Sequence, residues 1–428
     1  MARRAAYMNA ISAVDSASVL HLDCGDVVGA KGAMEELKSR YLFESYGFMN
    51  VDAINLGSSD LLLGQKWLFE QMAKTGIPII SANVYYFDTG ERFLRPYVIK
   101  RISPKRFLGV EWGGLKVGIF GLVQTLGENQ GLPFDREKDE HRLIIKDPAV
   151  VAREMVEELR PQVDLIVCLA HTGWLHGRDL ARNVSGIDLV IVGNGANVKP
   201  KPYVVNNIPL VMPGDEGEFL GVIDLYLDEN KRVVEREGMS KELDDSIEDD
   251  PVMADLVERY KLDLQQIGDE IVPATSQLDV QKFLGAEACG ECHTPELRDW
   301  KGGGHAHALE SLVETGRDFD PTCLKCHVTG YGLFNGFHSY EKTPTMINVQ
   351  CESCHGPGSD HVRWARGEDV SDSDLEPGLK YLFAAIEDRC LDCHDSENDP
   401  DFDFAAARPI VDHSRIQEAL REQQKMGR

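Results

Sequence analysis

The stretches ACGECH (288–293), TCLKCH (322–327), QCESCH (350–355) and RCLDCH (389–394) each contain the pattern Cys-x-x-Cys-His. In this pattern, two thiols three positions apart can add to the two vinyl groups of one haem, and the adjacent imidazole becomes an axial ligand of the iron. The thiols are Cys289, Cys292, Cys323, Cys326, Cys351, Cys354, Cys390 and Cys393, and the imidazoles are His293, His327, His355 and His394. The sequence therefore predicts four covalently bound haem c groups.

Two other uses of paired cysteines fit the pattern less well. A structural zinc site needs four nitrogen or sulfur ligands in one closed cluster, which gives no reason for a histidine directly after every pair. Disulfide bonds, which form in exported proteins, leave the same histidines unexplained. The recurrence of all three residues favours haem.

The composition limits the classes of protein and partner that are compatible with the chain. Its 428 residues are enough for two or three domains, and 43% of them are hydrophobic, as in ordinary globular proteins. No apolar run approaches the ~18 residues of a transmembrane helix, so we expect no membrane span. The formal net charge of −26 argues against nucleic acid as a partner and favours redox proteins that present cationic patches.

The remaining cysteines and the chemistry of haem attachment bear on the cellular compartment. Cys24 and Cys168 lie in apolar, strand-like runs and are expected to be small buried hydrophobes. Covalent haem attachment takes place outside the cytoplasm, so we expect a periplasmic or extracellular protein. The first residues, MARRAAYMNAISAV, contain no apolar core of signal-peptide length. A removed export signal, or a true start upstream of Met1, would account for this.

Residues 1–235 alternate between two kinds of pattern. Short apolar runs rich in β-branched residues predict strands, and amphipathic stretches between several of them predict helices. The predicted strands are 18–24, 51–57, 77–84, 115–123, 163–170 and 187–193, and the predicted helices are 31–46, 61–75 and 148–160. The alternation predicts an α/β layered domain with buried parallel strands, in which ligands gather at the carboxyl ends of the strands.

The loops that follow four of these strands carry acidic, histidine and glycine residues in a particular order. They are DCGD (23–26), GSSD (57–60), AHTG (170–173) and GNGA (193–196), with SAN (81–83) and PGDEGEFLG (213–221) as further context. The order resembles that of the calcineurin-like metallophosphatases, in particular the N-terminal domain of 5′-nucleotidases. The resemblance implies a metallophosphatase-like sandwich, in which Asp26 matches a bridging metal ligand and His171 matches a ligand histidine.

The same loops depart from the family at most of its metal ligands. GSSD stands where the family has Gly-Asn-His-Glu/Asp, GNGA stands where it has Gly-His-x-His, and the opening Asp-x-His strand is missing. Two scattered ligands cannot hold a dinuclear centre, so we expect no hydrolase activity. We expect Asp26 and His171 to be hydrogen-bonded to their neighbours instead.

The composition changes after residue 235. KELDDSIEDDP (241–251) is an acidic, solvated run, and 252–267 has the pattern of an amphipathic helix. We therefore predict a metallophosphatase-like domain at 1–235, an acidic helical linker at 236–284 and a tetrahaem domain at 285–428. Because the last segment has few large apolar side chains, we expect a mainly helical and irregular fold whose core the haems supply.

The haem domain resembles the tetrahaem c-type cytochromes of the cytochrome c-554 type, typified by the electron acceptor of hydroxylamine oxidation. The resemblance rests on ACGECH, DWKGGGHAHALESL (299–312), TCLKCHVTGYG (322–332), NVQCESCHGPGSDH (348–361) and DRCLDCH (388–394). It implies that His305 and His361 are distal axial ligands and that His413 is a third. It also implies that the second haem, on Cys323 and Cys326, is five-coordinate.

His307 and His338 are further candidates to close the second iron, and a surface or propionate-bonding role is the alternative for each. Saturated bis-histidine irons predict a protein that transfers electrons between redox partners. An open second iron instead predicts an oxidoreductase that acts on a small nitrogen or sulfur oxide, with Tyr331 or Lys325 as a proton donor. A monomer and a homo-oligomer or filament are both compatible with the sequence.

Overall fold

A strand in which every residue is buried, Leu165–His171, lies at the centre of the N-terminal part of the chain. Its alternate side chains point to opposite faces of a sheet. Cys168 joins one hydrophobic cluster with Met155 and Leu159, whereas Leu169 joins another with Ile119. Burial on both faces explains why the sequence here is one continuous apolar run.

The computed structural model divides into two compact units, Met1–Tyr260 and Lys261–Arg428. It describes the whole chain except residues 16–17, 103–104, 108–109, 113, 125–131, 134–138, 140, 196, 216, 271–281, 334, 369–385, 396–397 and 414–428. The domain limits predicted at residues 235 and 284 stay predictions.

A six-stranded sheet forms the larger layer of the first unit. From edge to edge its strands are β12 (Tyr203–Val205), β13 (Ile208–Val211), β11 (Leu189–Gly193), β10 (Leu165–His171), β8 (Leu115–Val123) and β5 (Tyr97–Ile102). The four central strands are parallel, and the two edge strands pair antiparallel with their neighbours.

A second sheet and three strand pairs complete the β-structure described in this unit. The second sheet is parallel and contains β1 (Leu22–Asp23), β2 (Ala53–Asn55) and β3 (Ile79–Ile80). The antiparallel pairs are β4 (Val84–Tyr86) with β9 (Leu143–Ile145), β6 (Lys105–Phe107) with β7 (Val110–Trp112), and β14 (Phe219–Leu227) with β15 (Val233–Glu242). The two sheets approach closely where β2 meets β8, because a Cβ atom at Gly121 would lie 2.1 Å from Asn55 Oδ1.

Helices cover the sheets or extend from them. They are α1 (Ala2–Asp15), α2 (Ala33–Phe48), α3 (Gln65–Thr75), α4 (Pro148–Leu159), α5 (Gly173–Asn183) and α6 (Pro251–Glu270). The start of α4 is fixed by Asp147, whose carboxylate accepts the backbone N–H groups of Ala149 and Val150. Among the helices that the structure describes, none has the length and hydropathy that a membrane span requires.

The second unit consists of short helices joined by irregular segments. The helices are α7 (Ala286–Gly290), α8 (Thr294–Lys301), α9 (Ala308–Glu314), α10 (Pro321–His327), α11 (Cys351–His355), α12 (Ser359–Ala365), Ile386–Leu391 and Phe404–Val411, with 3₁₀ turns at Gly304–His307 and Pro344–Met346. A small apolar cluster packs between them and comprises Phe283, Leu309, Leu312, Leu324, Val328, Phe337 and Met346.

The α/β layered architecture with buried parallel strands is confirmed, and each predicted strand and helix of the first unit overlaps an observed one. The first three predicted strands are longer than the observed ones, since β1, β2 and β3 contain only two or three residues each. Helix α1 and the hairpin β14–β15 were not predicted from the sequence. In α1, alanines supply two of the buried positions, Ala2 and Ala5, and alanine gives a weak periodic signal. In β14 and β15 no side chain is fully buried, which blurs the alternation.

Candidate functional site

The histidines of the first and fourth Cys-x-x-Cys-His motifs each lie next to a second imidazole. The ring centres of His293 and His361 are 6.2 Å apart, and those of His394 and His305 are 6.1 Å apart. A metal–nitrogen bond of about 2.0 Å, plus about 1.1 Å from nitrogen to ring centre on each side, separates two axial imidazoles by about 6 Å. Both pairs have the spacing that two axial ligands of one iron require.

The histidine of the third motif, His355, lies near His413. Burial lowers the pKa of His355, and the neighbouring His413 and then His293 lower that pKa further. The Nδ1 atom of His413 is buried, lies 3.8 Å from Asp299 Oδ2 and has no hydrogen-bond partner among the described residues. His413, the third predicted distal ligand, thus lies close enough to the third motif for its charge to affect the pKa of His355.

The histidine of the second motif, His327, has different surroundings. Its Nδ1 atom lies 2.6 Å from the carbonyl oxygen of Ala308, so Nδ1–H donates to that oxygen and Nε2 is left for another partner. Among the described residues, ring contacts with a second imidazole are made by His293 and His394, and not by His327 or His355.

The two histidines considered for the second haem lie elsewhere. His307 is exposed, and its Nδ1 atom lies 2.9 Å from Glu310 Oε1. This hydrogen bond, together with the charge of Glu310, raises the pKa of His307. His338 is half-buried, and its backbone N–H donates to Thr343 Oγ1.

Short helices explain how each motif presents its thiols. In α10, Cys323 and Cys326 are one helical turn apart, so both point to the same side and could reach one haem edge. Thiols of different motifs are also neighbours: the thiol of Cys351 raises the pKa of Cys289, and burial and then the thiol of Cys326 raise the pKa of Cys393. The predicted attachment points of the first and third motifs, and of the second and fourth, therefore lie side by side.

Two residues that sequence reasoning missed hold the first and third motifs together. Glu352 is 3% exposed, and its carboxylate accepts the backbone N–H groups of Leu284, Gly285 and Gly358. Gln350 accepts the backbone N–H of Ala286. In the sequence, Glu352 was recognisable only as a charged residue between two cysteines, and this position does not reveal its partners.

In the first unit, the strand-end residues Asp26 and His171 form an ion pair. His171 Nε2 lies 3.1 Å from Asp26 Oδ2, and His171 Nδ1 lies 3.1 Å from the carbonyl oxygen of Cys24. The other carboxylate oxygen of Asp26 accepts the backbone N–H of Ser59 at 2.7 Å. Burial opposes charge on both groups, but their mutual hydrogen bond and attraction prevail, so the pKa of Asp26 is lowered and that of His171 is raised.

Beneath this pair lies Asp60, which is fully buried. Its two carboxylate oxygens accept the backbone N–H groups of Asp26, Val27, Val28 and Gly57. Burial and then the charge of Asp26 raise the pKa of Asp60 to about 6, although these hydrogen bonds oppose the rise. Asp60 therefore ties the loop after β1 to the loop after β2.

These contacts do not fit a dinuclear metal centre. Both ring nitrogens of His171 face hydrogen-bond acceptors, and a metal-bound imidazole needs a nitrogen lone pair directed at the metal. Within the part of the chain that the structure describes, no three His, Cys, Asp or Glu side chains are grouped so that they could hold a metal ion. Asn194 adopts a left-handed conformation with φ of 67°, and Ala196 of the same loop lies outside the described residues.

Comparisons with known proteins relate the second unit to cytochromes. The family model "Cytochrome c554 and c-prime" matches residues 288–356. Cytochrome c-554 of Nitrosomonas europaea is 32% identical over 137 residues, which are 26% of this chain and 57% of that protein. A cytochrome of this family implies covalently bound haem c.

The first unit is similar to nucleotidases. The 5′-nucleotidase of Diplobatis ommata is 28% identical over 302 residues, covering 64% of this chain and 49% of that protein. Thermus thermophilus sulfate thiohydrolase SoxB superposes with a TM-score of 0.53 at 18% identity, over 62% of this chain and 47% of that one. A 5′-nucleotidase precursor, also of Thermus thermophilus, gives a TM-score of 0.51 at 19% identity, over 67% of this chain and 57% of that one. At these identities the structural likeness shows the fold alone.

The chain spans about half the length of the curated relatives that it matches, 49% and 57% of the two described above. Both resemblances predicted from the sequence are confirmed. The chain joins a C-terminal region of the cytochrome c554 family to an N-terminal part that has the metallophosphatase-like α/β fold and is homologous to 5′-nucleotidases.

Proposed function

We propose that this protein binds four haem c groups and passes single electrons between redox proteins outside the cytoplasm. One observation carries the proposal: two motif histidines, His293 and His394, each lie opposite a second imidazole, with ring centres 6.2 and 6.1 Å apart. Haem iron supplies one-electron chemistry when it is bound, and an iron with two imidazole ligands has no position left for a substrate. The chain's own residues then anchor, orient and enclose the haems.

The proposed haem ligands follow from the neighbours of each motif. His293 with His361, His394 with His305, and His355 with His413 would be the axial pairs. Each of the eight motif cysteines would form one thioether bond. His327 would be the proximal ligand of the remaining haem.

A second candidate function depends on that remaining haem. His307 is exposed and paired with Glu310, and among the described residues His327 makes no ring contact with a second imidazole. An iron with one open position would allow an oxidoreductase that acts on a small nitrogen or sulfur oxide. Tyr331 and Lys325 are the proton donors proposed for it, because they are close to His327 in sequence.

The N-terminal part would be a non-catalytic scaffold. Its support is the closed Asp26–His171 ion pair, which uses both ring nitrogens and both carboxylate oxygens for protein contacts. We expect the purified protein to release no phosphate from a nucleotide in the presence of manganese. Release above that of an Asp26→Asn, His171→Gln variant would overturn the scaffold role.

The proposed partners and location follow from charge and from haem chemistry. A net charge of −26 favours redox partners with cationic patches, and association should weaken as salt screens the attraction. A periplasmic or extracellular location is proposed because haem c is attached there.

A haem count combined with spectroscopy tests the proposal. We expect a pyridine haemochrome assay to give four haem equivalents per chain, and fewer would contradict the assignment of the four motifs. An oxidised protein with only low-spin iron, and no spectral change when carbon monoxide is added after reduction, would exclude the second candidate. A high-spin component of one haem that binds carbon monoxide would favour it.

A further inference from the structure

Asp399 contacts the histidine of the fourth motif. Its Oδ2 atom lies 2.7 Å from His394 Nδ1. On the same imidazole, the ring of Phe402 stacks at a centroid distance of 4.4 Å and an angle of 13°. Neither Asp399 nor Phe402 belongs to a haem-attachment motif.

The carboxylate contact distinguishes His394 from the other motif histidines. His327 donates its Nδ1–H to a neutral backbone carbonyl, that of Ala308. Among the described residues, neither His293 nor His355 has a carboxylate at hydrogen-bond distance. In the described part of the chain, His394 is therefore the one motif histidine whose Nδ1 has a carboxylate at hydrogen-bond distance.

We propose that Asp399 is a positioning residue that makes the haem at Cys390 and Cys393 the one of lowest reduction potential in this chain. This inference rests on the proposed function, because His394 must be an axial ligand. A carboxylate that accepts Nδ1–H makes the imidazole a stronger electron donor through Nε2, and stronger donation stabilises ferric over ferrous iron. It also fixes which nitrogen is available to the metal.

Phe402 acts on the same ring in a different way. A nearly parallel stack at 4.4 Å limits rotation of the imidazole about its Cβ–Cγ bond. The hydrogen bond and the stack together would hold the His394 ring at one orientation relative to His305. Orientation of the axial rings affects the g-values of low-spin ferric haem, so it can be measured separately from the potential.

Negative charges near His394 lower the reduction potential of its haem whether or not they accept its Nδ1–H. Asp392, Asp395, Asp401 and Asp403 lie close to His394 in sequence, and any nearby anion favours ferric iron. Asp401 is exposed, and Asp401→Asn removes the same charge as Asp399→Asn without touching the hydrogen bond. Because the amide oxygen introduced by Asp399→Asn could still accept Nδ1–H, the difference between the two variants reports the effect of the negative charge on the hydrogen-bond acceptor itself, beyond that of a nearby anion.

The test is a spectroelectrochemical redox titration of the full-length protein with its haems. We expect Asp399→Asn to raise the midpoint potential of the lowest of the four steps and to shift the other three less. Asp401→Asn should shift that step less, and Asp399→Glu should restore part of the wild-type value. Equal shifts in Asp399→Asn and Asp401→Asn, or no shift in either, would overturn the inference.

Two further measurements keep the result interpretable. Each variant is first assayed for haem content, because fewer than four haems in the wild type would reject the proposed function rather than the role of Asp399. If Asp399→Asn does not fold, Phe402→Leu is used instead. It keeps the carboxylate, and we expect it to change the g-values of one low-spin haem; an unchanged spectrum would count against the positioning role.

Discussion

His171 Nε2 lies 3.1 Å from Asp26 Oδ2, and the imidazole is almost completely buried. The charged ring is stabilised by this carboxylate and by the Cys24 carbonyl, and the ionised Asp26 is stabilised in turn by the backbone N–H of Ser59. The two opposite charges thus stabilise each other in a buried site. Because the pKa values of both partners are shifted, its contribution to stability depends on pH.

The pH dependence can be predicted with its sign. The folded-state pKa of His171 is raised, so the stability it contributes is complete below about pH 6.5, its ordinary pKa, and is lost as pH rises through the raised value. The folded-state pKa of Asp26 is lowered, so the stability that Asp26 contributes is lost as pH falls through its lowered pKa. We expect the free energy of unfolding, measured with urea from about pH 6.5 upward, to fall with rising pH more steeply in the wild type than in His171→Gln.

The control for this prediction is His141→Gln. His141 also pairs with a carboxylate, Asp88, but both side chains are roughly half exposed and solvent screens their attraction. Its pH profile should run parallel to that of the wild type. Parallel profiles for His171→Gln and the wild type would contradict the ion-pair account.

Asp60→Asn should destabilise the first unit. The carboxylate accepts four backbone N–H groups, two on each oxygen, and an amide would turn an NH₂ group towards two of these donors. Leaving buried donors unsatisfied costs about 2–4 kcal/mol of the free energy of unfolding. Chemical denaturation measures the loss of unfolding free energy. The control is Asp179→Asn, because Asp179 is exposed and its replacement should cost less than about 0.5 kcal/mol. Similar values for the two variants would show that the four contacts contribute little.

A pair of histidines two positions apart tests the proposed distal ligands. The His305 ring faces His394, whereas the exposed His307 faces Glu310. We expect His305→Ala to convert one haem from low spin to high spin and to let it bind carbon monoxide after reduction. His307→Ala should leave both the electron-paramagnetic and the visible spectra unchanged. A spectral change in His307→Ala alone would exchange the roles of the two residues.

Glu352→Gln should weaken the second unit, because its amide NH₂ would face backbone donors that the carboxylate now satisfies. We expect the free energy of unfolding to fall by about 2–4 kcal/mol. Guanidinium denaturation monitored by circular dichroism measures this loss. Glu291→Gln is a matched control, since Glu291 also stands between two motif cysteines but is exposed and pairs with Arg366. Equal stability of both variants would rule out Glu352 as an anchor.

Regular periodicity made the N-terminal fold predictable. The predicted strand at 115–123 coincides with β8, and the predicted helix at 148–160 ends one residue beyond α4. Both elements bury large β-branched or aliphatic side chains, which give a strong pattern. The hairpin β14–β15 escaped prediction because one face remains exposed, with Tyr226 and Met239 about half accessible.

In the haem region, the attachment motifs could be read from the sequence, whereas the pairing of the distal histidines with the motifs could not. Attachment chemistry requires two cysteines and a histidine within one short motif, so the sequence alone determined where haems should bind. Distal ligands, by contrast, come from remote positions, and only tertiary packing selects among the histidines outside the motifs. His305 and His307 are nearly indistinguishable in sequence, yet their rings point to different partners.

The sequence by itself determined the α/β character of the first unit and the positions of the four Cys-x-x-Cys-His motifs, because each depends on local spacing and residue type. Only the tertiary structure decided that Asp26 pairs with His171, that Glu352 ties the first motif to the third, and that Asp399 faces His394. The last two lie inside or near the motifs, but their partners depend on how the chain turns back on itself. Hydrogen bonds require contact within about 3 Å, and sequence separation does not encode such distances.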